Sequence, residues 1–192
     1  MTFEKFLDAV RQLTKTSKPY NEIISEISHF ESDDPLVVEI LNDSDRISEL
    51  CAIIMGLRRG YQRYIDSTSY GARLSFPAYQ LTLIEQEGVN DKCIKKRWEE
   101  SGTQIIKRKR IALKTDKVWE FISFFGFPFP PFDVCTGYGV DDIDFDKAVR
   151  LGLITDDYVE DEKITPPPNP EYSLSDYDYM RAVCNRIVSI IK

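Results

Sequence analysis

Five aspartates lie close together in the sequence between residues 133 and 146: Asp133, Asp141, Asp142, Asp144 and Asp146. Carboxylate oxygens bind divalent cations, and a pair of carboxyl groups can act as the acid and the base of a hydrolase. One hypothesis is therefore a metal site built from Asp133, Asp141, Asp142 and Asp144. The alternative is structural: Asp144 caps a helix, Asp146 stabilises the positive end of its dipole, and the other carboxylates are solvated.

The spacing of the aspartates at 142, 144 and 146 matches the first ligand positions of an EF-hand calcium loop. Such a loop needs a glycine at its sixth position and a bidentate acid at its twelfth. This chain has Lys147 and Leu153 at those positions. The pattern therefore excludes an EF-hand and leaves the simpler hypotheses open.

A basic run extends from Lys92 to Lys117, and its densest part is Lys107, Arg108, Lys109 and Arg110. Basic residues near an aromatic such as Trp98 can bind phosphates and stack bases. The acidic remainder of the chain would repel a polyanion, and no recognised nucleic-acid module is present, so nucleic acid is the least expected partner. A solvated hairpin and a contact with an acidic protein segment, such as residues 156–162 in cis or on another subunit, are the other interpretations.

An aromatic-proline segment, Phe127-Pro128-Phe129-Pro130-Pro131-Phe132-Asp133, follows no helical or strand period. Proline fixes the backbone and removes amide donors, so this segment is expected to be irregular. Its rings either form a scaffold within the core or dock a partner, because aromatics anchor interfaces strongly. The partner-binding candidates are Phe127, Phe129, Phe132 and Tyr138, the last within a predicted tight turn at Gly137-Tyr138-Gly139.

The histidine and cysteine content excludes several kinds of site. His29 is the single histidine, and Cys51, Cys93, Cys135 and Cys184 lie far apart in the sequence. Structural zinc sites need closely spaced ligands, and nucleophilic triads need a suitably placed base. The sequence predicts four reduced thiols and no cofactor.

The composition is typical of a folded, acidic protein. The chain has 192 residues, 42% hydrophobic and 12% aromatic, with a net charge of −7. No apolar run reaches the roughly 20 residues that cross a bilayer, and the N-terminal residues lack the features of a secretory signal. We therefore expect a cytoplasmic protein that does not bind membranes.

The periodicity predicts a mainly α protein of the α+β class. Residues 1–66 are expected to form a helical bundle, and residues 72–155 a smaller α+β part with a short β-hairpin near 103–113 and the irregular aromatic-proline loop. Within that part, a short helix is predicted from Pro77 to Glu87 and a helix capped by Asn90 after it. Residues 156–171 read as an acidic, proline-rich linker, and residues 172–192 as a C-terminal helix that docks back on the core. All four parts are expected to form one compact unit.

One stretch of about 80 residues has a distinctive order of short motifs. They are Phe76-Pro77-Ala78-Tyr79-Gln80-Leu81, Lys96-Arg97-Trp98, Ile111-Ala112-Leu113-Lys114-Thr115-Asp116, Phe125-Gly126-Phe127-Pro128, Pro130-Pro131-Phe132-Asp133, Gly137-Tyr138-Gly139-Val140 and Leu151-Gly152-Leu153-Ile154. Residues 74–154 thereby resemble uncharacterised bacterial and prophage proteins similar to phage minor head, or head-morphogenesis, proteins. The chain departs from the pattern at Val134-Cys135-Thr136. The resemblance implies a mobile-element origin and an assembly role, and it carries no catalytic residue over.

These observations favour a non-enzymatic interaction or assembly protein with a protein partner, and they are compatible with a homo-oligomer. Two alternatives stay open. One is a metal-dependent hydrolase that uses the aspartates between 133 and 146; the other is an acidic immunity-type or inhibitor protein that binds a basic partner.

Overall fold

The structure is a computed structural model that describes residues 1–84, 88, 90–158 and 165–191. Within these residues the fold is mainly α with one small antiparallel sheet, as the sequence predicts. The helices are α1 (Phe3–Leu13), α2 (Tyr20–Ile27), α3 (Pro35–Leu41), α4 (Ser44–Ser67), α5 (Tyr70–Ser75), α6 (Asp91–Glu100), α7 (Val118–Ile122), α8 (Phe145–Arg150), α9 (Pro170–Ser175) and α10 (Tyr177–Ile190). The strands are β1 (Ala78–Leu83), β2 (Ile105–Ile106), β3 (Lys109–Leu113) and β4 (Tyr138–Ile143).

The chain divides into two compact units. The helical unit contains Met1–Arg58 and Asn169–Lys192, and the sheet unit contains Arg59–Pro168. The helical unit is thus built from two separate segments of sequence, whereas the sheet unit is one continuous segment.

Capping residues and apolar stripes define the helices of the helical unit. Thr2 caps α1 by accepting a hydrogen bond from the Lys5 amide, and Asp34 caps α3 ahead of Pro35. These side chains accept hydrogen bonds from amides that have no partner within the helix. The first helical position tolerates proline, because the amide there needs no helical partner. The apolar residues buried on α1 and α10 are Phe3, Phe6, Leu7, Val10, Met180, Val183, Cys184 and Ile187. Helix α10 contacts α1, α3 and α9, so the C-terminal helix packs within this unit as predicted.

The sheet of the sheet unit has the strand order β2-β3-β1-β4, and all its pairs are antiparallel. The central strand β1 places Tyr79 opposite Ala112 on β3 and opposite Asp142 on β4. One face packs Tyr79, Leu81 and Ala112 against α6 and α7. The other face packs Ala78, Ile111 and Ile143 against α8 and the residues that follow it.

Several local predictions differ from the structure. Residues 78–83 form β1 rather than a helix, and residues 138–143 form β4 rather than beginning with a tight turn. Each strand acquires its hydrogen-bond partners from sequence distant by tens of residues, which overrides the local preference. The predicted helix also extends over residues 85–87, which lie outside the described residues.

The hairpin at β2 and β3 is confirmed, although it is one edge of a larger sheet. The predicted linker falls partly outside the described residues, at 159–164, and its last residues begin helix α9, which the sequence interpretation missed. Pro170 at the first turn and Asn169 as the cap are the signals that could have identified it.

Candidate functional site

The three phenylalanines proposed to bind a partner lie inside the sheet unit. Phe127, Phe129 and Phe132 are 4%, 3% and 0% exposed. The rings of Phe127 and Phe129 stack with centroids 5.3 Å apart, and Phe132 stacks on Trp119 at 6.2 Å. This burial favours the core interpretation of the aromatic-proline segment over the docking interpretation.

Helix α4 supports this segment through a close backbone approach. A Cβ added at Gly60 would clash with the carbonyl oxygen of Pro130 and would lie 2.8 Å from Cδ2 of Phe129. Tyr64 packs its ring 5.6 Å from that of Phe129. Glycine at position 60 is therefore required for the proline turn to reach the helix.

A buried ion pair holds the end of the segment. Asp133 is 1% exposed, and its Oδ2 accepts a hydrogen bond of 2.7 Å from Nη2 of Arg97. Nη1 of Arg97 donates to the carbonyl oxygen of Ile122 at 2.9 Å, and Oδ1 of Asp133 accepts from the Val134 amide at 2.8 Å. The carboxylate thus ties α6, α7 and the loop together, which is a structural role.

A second buried carboxylate, that of Asp91, binds the backbone that follows the aromatic-proline segment. Its two oxygens accept hydrogen bonds from the amides of Gly88 and Gly137, at 3.0 and 3.1 Å. The sequence predicted that the neighbouring Asn90 caps α6, but its side chain makes no capping hydrogen bond. Instead, its Nδ2 donates to the carbonyl oxygen of Val134 at 3.1 Å. Charge-assisted bonds to backbone amides are strong, so Asp91 fixes the approach to β4.

The aspartates proposed as metal ligands have separate environments. Asp133 pairs with Arg97, Asp142 pairs with Lys114, and Asp144 caps α8 by accepting a hydrogen bond of 2.8 Å from the Lys147 amide. Asp141 is exposed on β4. Among the residues that the structure describes, no three histidine, cysteine or acidic side chains are grouped so that they could hold a metal ion.

A polar cluster that the sequence interpretation did not single out lies on the α6–α7 face of the sheet. Lys114 is 1% exposed, and its Nζ contacts Oδ1 of Asp142 at 2.6 Å, donates to the carbonyl oxygen of Ser67 at 2.9 Å and lies 4.6 Å from the centroid of the Tyr79 ring. The hydroxyl groups of Tyr79 and Ser67 are hydrogen-bonded to each other. The available signal was a lysine immediately after β3, two residues beyond the buried Ala112.

This cluster contains a serine, a lysine and a tyrosine, which are groups that some enzymes use. Burial raises the pKa of Tyr79 to about 12, in spite of the opposing hydrogen bond with Ser67, so the phenol stays protonated at neutral pH and supplies no phenolate to act as a base. Nζ of Lys114 is already engaged by the carboxylate of Asp142 and the carbonyl oxygen of Ser67. The arrangement therefore supports folding rather than nucleophilic catalysis.

The proposed basic patch forms the tip of the β2–β3 hairpin. Lys107, Arg108 and Lys109 are exposed, and they form no ion pair with any other residue that the structure describes. Arg110 is partly buried, and its Nη2 lies 3.2 Å from Oε1 of Glu99. Three cations thus project together, while the fourth anchors the base of the hairpin on α6.

The remaining candidate, Tyr138, is half-buried on β4. Its ring packs against the sheet core, and Nζ of Lys95 lies 5.7 Å from the ring centroid. A cation near an aromatic face gives a modest attraction at a partly exposed site. The structure therefore places Tyr138 beside Lys95 of α6 and against the core cluster that contains Phe132.

Over the described parts of the chain, no helix is long and apolar enough to cross a membrane. Comparisons of the chain with protein-family models, with curated proteins and with solved structures found no match.

Proposed function

We propose that the protein is a non-enzymatic, cytoplasmic interaction or assembly protein that binds another protein. The observation that carries this proposal is the separation of charge along the sequence. Residues 92–117 contain ten basic and three acidic residues, whereas the whole chain has 25 basic and 32 acidic residues. Of these basic residues, Lys107, Arg108 and Lys109 are exposed together at the hairpin tip. Exposed charge of one sign on a protein of opposite net charge steers a complementary partner and fixes its orientation.

The buried polar groups support the same proposal. Asp133, Asp91 and Lys114 have partners inside the sheet unit, so each contributes to the fold. Catalysis needs a nucleophile, acid or base with access to a substrate and a pKa suited to its task. The exposed cations of the hairpin offer binding energy without such groups.

An origin in a phage or prophage, with a role in assembly, is the finer part of the proposal. It rests on the resemblance of residues 74–154 to head-morphogenesis-like proteins. Assembly proteins act through surfaces rather than active sites, which agrees with the exposed basic hairpin.

The hydrolase alternative has less support, because the aspartates from Asp133 to Asp144 are used separately. A metal bound to the native state would raise stability by mass action. Thermal unfolding with millimolar magnesium, manganese or calcium tests this alternative, and an unchanged melting temperature argues against it.

Cross-linking in living cells tests the interaction proposal. The tagged chain is cross-linked in its host, purified under denaturing conditions and analysed by mass spectrometry, with an unrelated protein of equal charge as the control. We expect one partner at near-stoichiometric yield. Recovery of only the proteins that the control also captures would overturn the proposal.

A further inference from the structure

The tip of the β2–β3 hairpin has a backbone geometry that its residues do not favour. The two residues between the strands, Lys107 and Arg108, both have positive φ, at 50° and 67°. Two-residue hairpin loops of this kind usually contain Asn-Gly, because glycine and asparagine tolerate positive φ far better than longer side chains. Neither residue here is of that type, so the loop is strained.

The charged residues of the tip add electrostatic repulsion to this backbone strain. Lys107, Arg108 and Lys109 place three positive charges side by side in an exposed turn, and the structure gives none of them an ion-pair partner among the described residues. Like charges on adjacent residues repel each other. A turn selected only for stability would have neither positive φ angles at residues with long side chains nor adjacent cations. Backbone strain of this kind concentrates at functional sites.

The hairpin is nevertheless held firmly at its base. Arg110 is bound to Glu99 on α6, and Ile111 and Ala112 of β3 are 1% and 2% exposed. Strand β3 also pairs with the central strand β1. The three cations are therefore presented on a fixed support, so less entropy is lost when a partner binds.

We propose that this tip, residues Lys107, Arg108 and Lys109, is a docking element for a carboxylate-rich polypeptide segment of another protein. This inference rests on the proposed function and specifies the chemistry of the partner. Carboxylates pair with guanidinium and ammonium groups in charge-assisted hydrogen bonds. Ile105 on the edge strand β2 is 42% exposed and offers an apolar contact beside the cations.

An acidic polypeptide fits the tip better than a nucleic acid does. Residues 103–113 contain no aromatic side chain on which a base could stack. The net charge of −7 also repels a long polyanion, whereas a short segment with a few carboxylates contacts the tip alone.

The test compares four proteins by fluorescence anisotropy with a labelled decapeptide of alternating glutamate and glycine. They are the wild type, the turn variant K107N/R108G, the neutral variant K107Q/R108Q and the control K92Q/K96Q. The control removes the same charge from α6, where Lys92 and Lys96 are exposed. A decapeptide of alternating glutamine and glycine and a ten-residue oligothymidylate are the competing probes, and light scattering reports the mass of the free protein.

We expect the wild type and K92Q/K96Q to bind the glutamate peptide, with an affinity that falls as salt increases. Both hairpin variants should bind at least tenfold more weakly. K107N/R108G should also melt at a higher temperature than the wild type, because it relieves the positive-φ strain, so its loss of binding cannot come from unfolding.

Three results of the binding and light-scattering measurements would overturn the inference. They are equal binding by the wild type and both hairpin variants, tighter binding of oligothymidylate than of the glutamate peptide, and a salt-sensitive dimer that the hairpin variants dissolve. The last result would assign the tip to a second copy of this chain. A cross-linked partner that the hairpin variants still capture would leave the interaction function intact while refuting the role of the hairpin.

Discussion

The Nζ of Lys114 lies 2.6 Å from Oδ1 of Asp142, although only the lysine is buried: its side chain is 1% exposed and that of the aspartate is 48% exposed. The pair joins β3 to β4 across the intervening strand β1. Because the lysine is buried, it depends on the carboxylate, whereas the carboxylate alone would be well solvated.

Substitution of this carboxylate should therefore destabilise the sheet unit. We expect Asp142→Asn to lower the free energy of unfolding by about 1–3 kcal/mol, since solvent screens part of the interaction. Asp141→Asn, on the adjacent exposed position, is the control and should change it by less than about 0.5 kcal/mol. Urea unfolding measures both. Equal losses of stability in the two variants would mean that the ion pair between Lys114 and Asp142 does not stabilise the protein.

The aromatic-proline segment should behave as core. Phe129→Ala and Phe132→Ala should each lower the free energy of unfolding by about 3–5 kcal/mol, because each leaves a cavity. Phe121→Ala is the matched control, since that ring is 53% exposed on α7. Chemical denaturation compares the loss of stability in the buried-ring variants with that in Phe121→Ala. A buried-ring variant as stable as the wild type would contradict the packing.

The close approach of Gly60 to the proline turn predicts an asymmetry between two glycines. Gly60→Ala should cost about 1–3 kcal/mol, because the added methyl group meets backbone that cannot move freely. Gly71→Ala in α5 has open space around it and should stabilise the protein by about 0.5–1 kcal/mol through helix propensity. Thermal melting of both variants gives the comparison. A neutral Gly60→Ala would show that the turn can shift.

Glu171 in the helical unit gives a prediction for acid solution. Partial burial by itself raises the pKa of Glu171, but hydrogen bonds from Arg58 and Lys15 outweigh it and hold the pKa below the ordinary value of 4.5. A carboxyl group with a lowered folded-state pKa contributes stability above its unfolded pKa and loses that contribution as the pH falls through the folded one.

We therefore expect Glu171→Gln to be less stable than the wild type by about 1 kcal/mol at pH 7. The difference should shrink progressively below pH 4.5. Urea unfolding at several pH values measures it, and Glu31→Gln, in the same unit but exposed, serves as the control. A difference that stays constant into acid would refute the assigned hydrogen bonds.

The four thiols should differ in reactivity. Burial raises the pKa of Cys51 and of Cys184 to about 12, while Cys93 and Cys135 are partly exposed. Since the thiolate is the nucleophile, iodoacetamide at pH 8 should modify Cys93 and Cys135 in the folded protein and all four after unfolding. Mass spectrometry of peptides counts the labels. Early labelling of Cys184 would contradict the packing of α10.

The sequence predicted α1, α3 and α10 well because their signals are local, whereas it missed α5 and α9 and assigned β1 to a helix. Thr2, Asp34 and Asp176 each cap the helix that follows them, and the apolar stripes of α1 and α10 are buried. The hairpin was also predictable, since its two strands are neighbours in sequence. Strands β1 and β4 were not, because Tyr79 gains its partners Ala112 and Asp142 only in the folded chain.

The same distinction applies to the candidate site. The four basic residues of the hairpin are visible as a run, so the sequence identified the patch, although not its positive φ angles. Asp91 and Lys114 were missed because their roles depend on distant amides and carboxylates. Conversely, the sequence left a docking role open for the rings of the aromatic-proline segment, because a segment without helical or strand periodicity does not show which side chains are buried.

The division of the chain has a consequence for its synthesis on the ribosome. The sheet unit ends at Pro168, so its entire sequence exists before residues 169–192 are translated. The helical unit lacks α9 and α10 until then, and α1 and α3 expose the apolar surface that α10 later covers. At ordinary elongation rates this interval is about 1–5 s. During it, we expect the apolar surface of the nascent N-terminal segment to be accessible to chaperones.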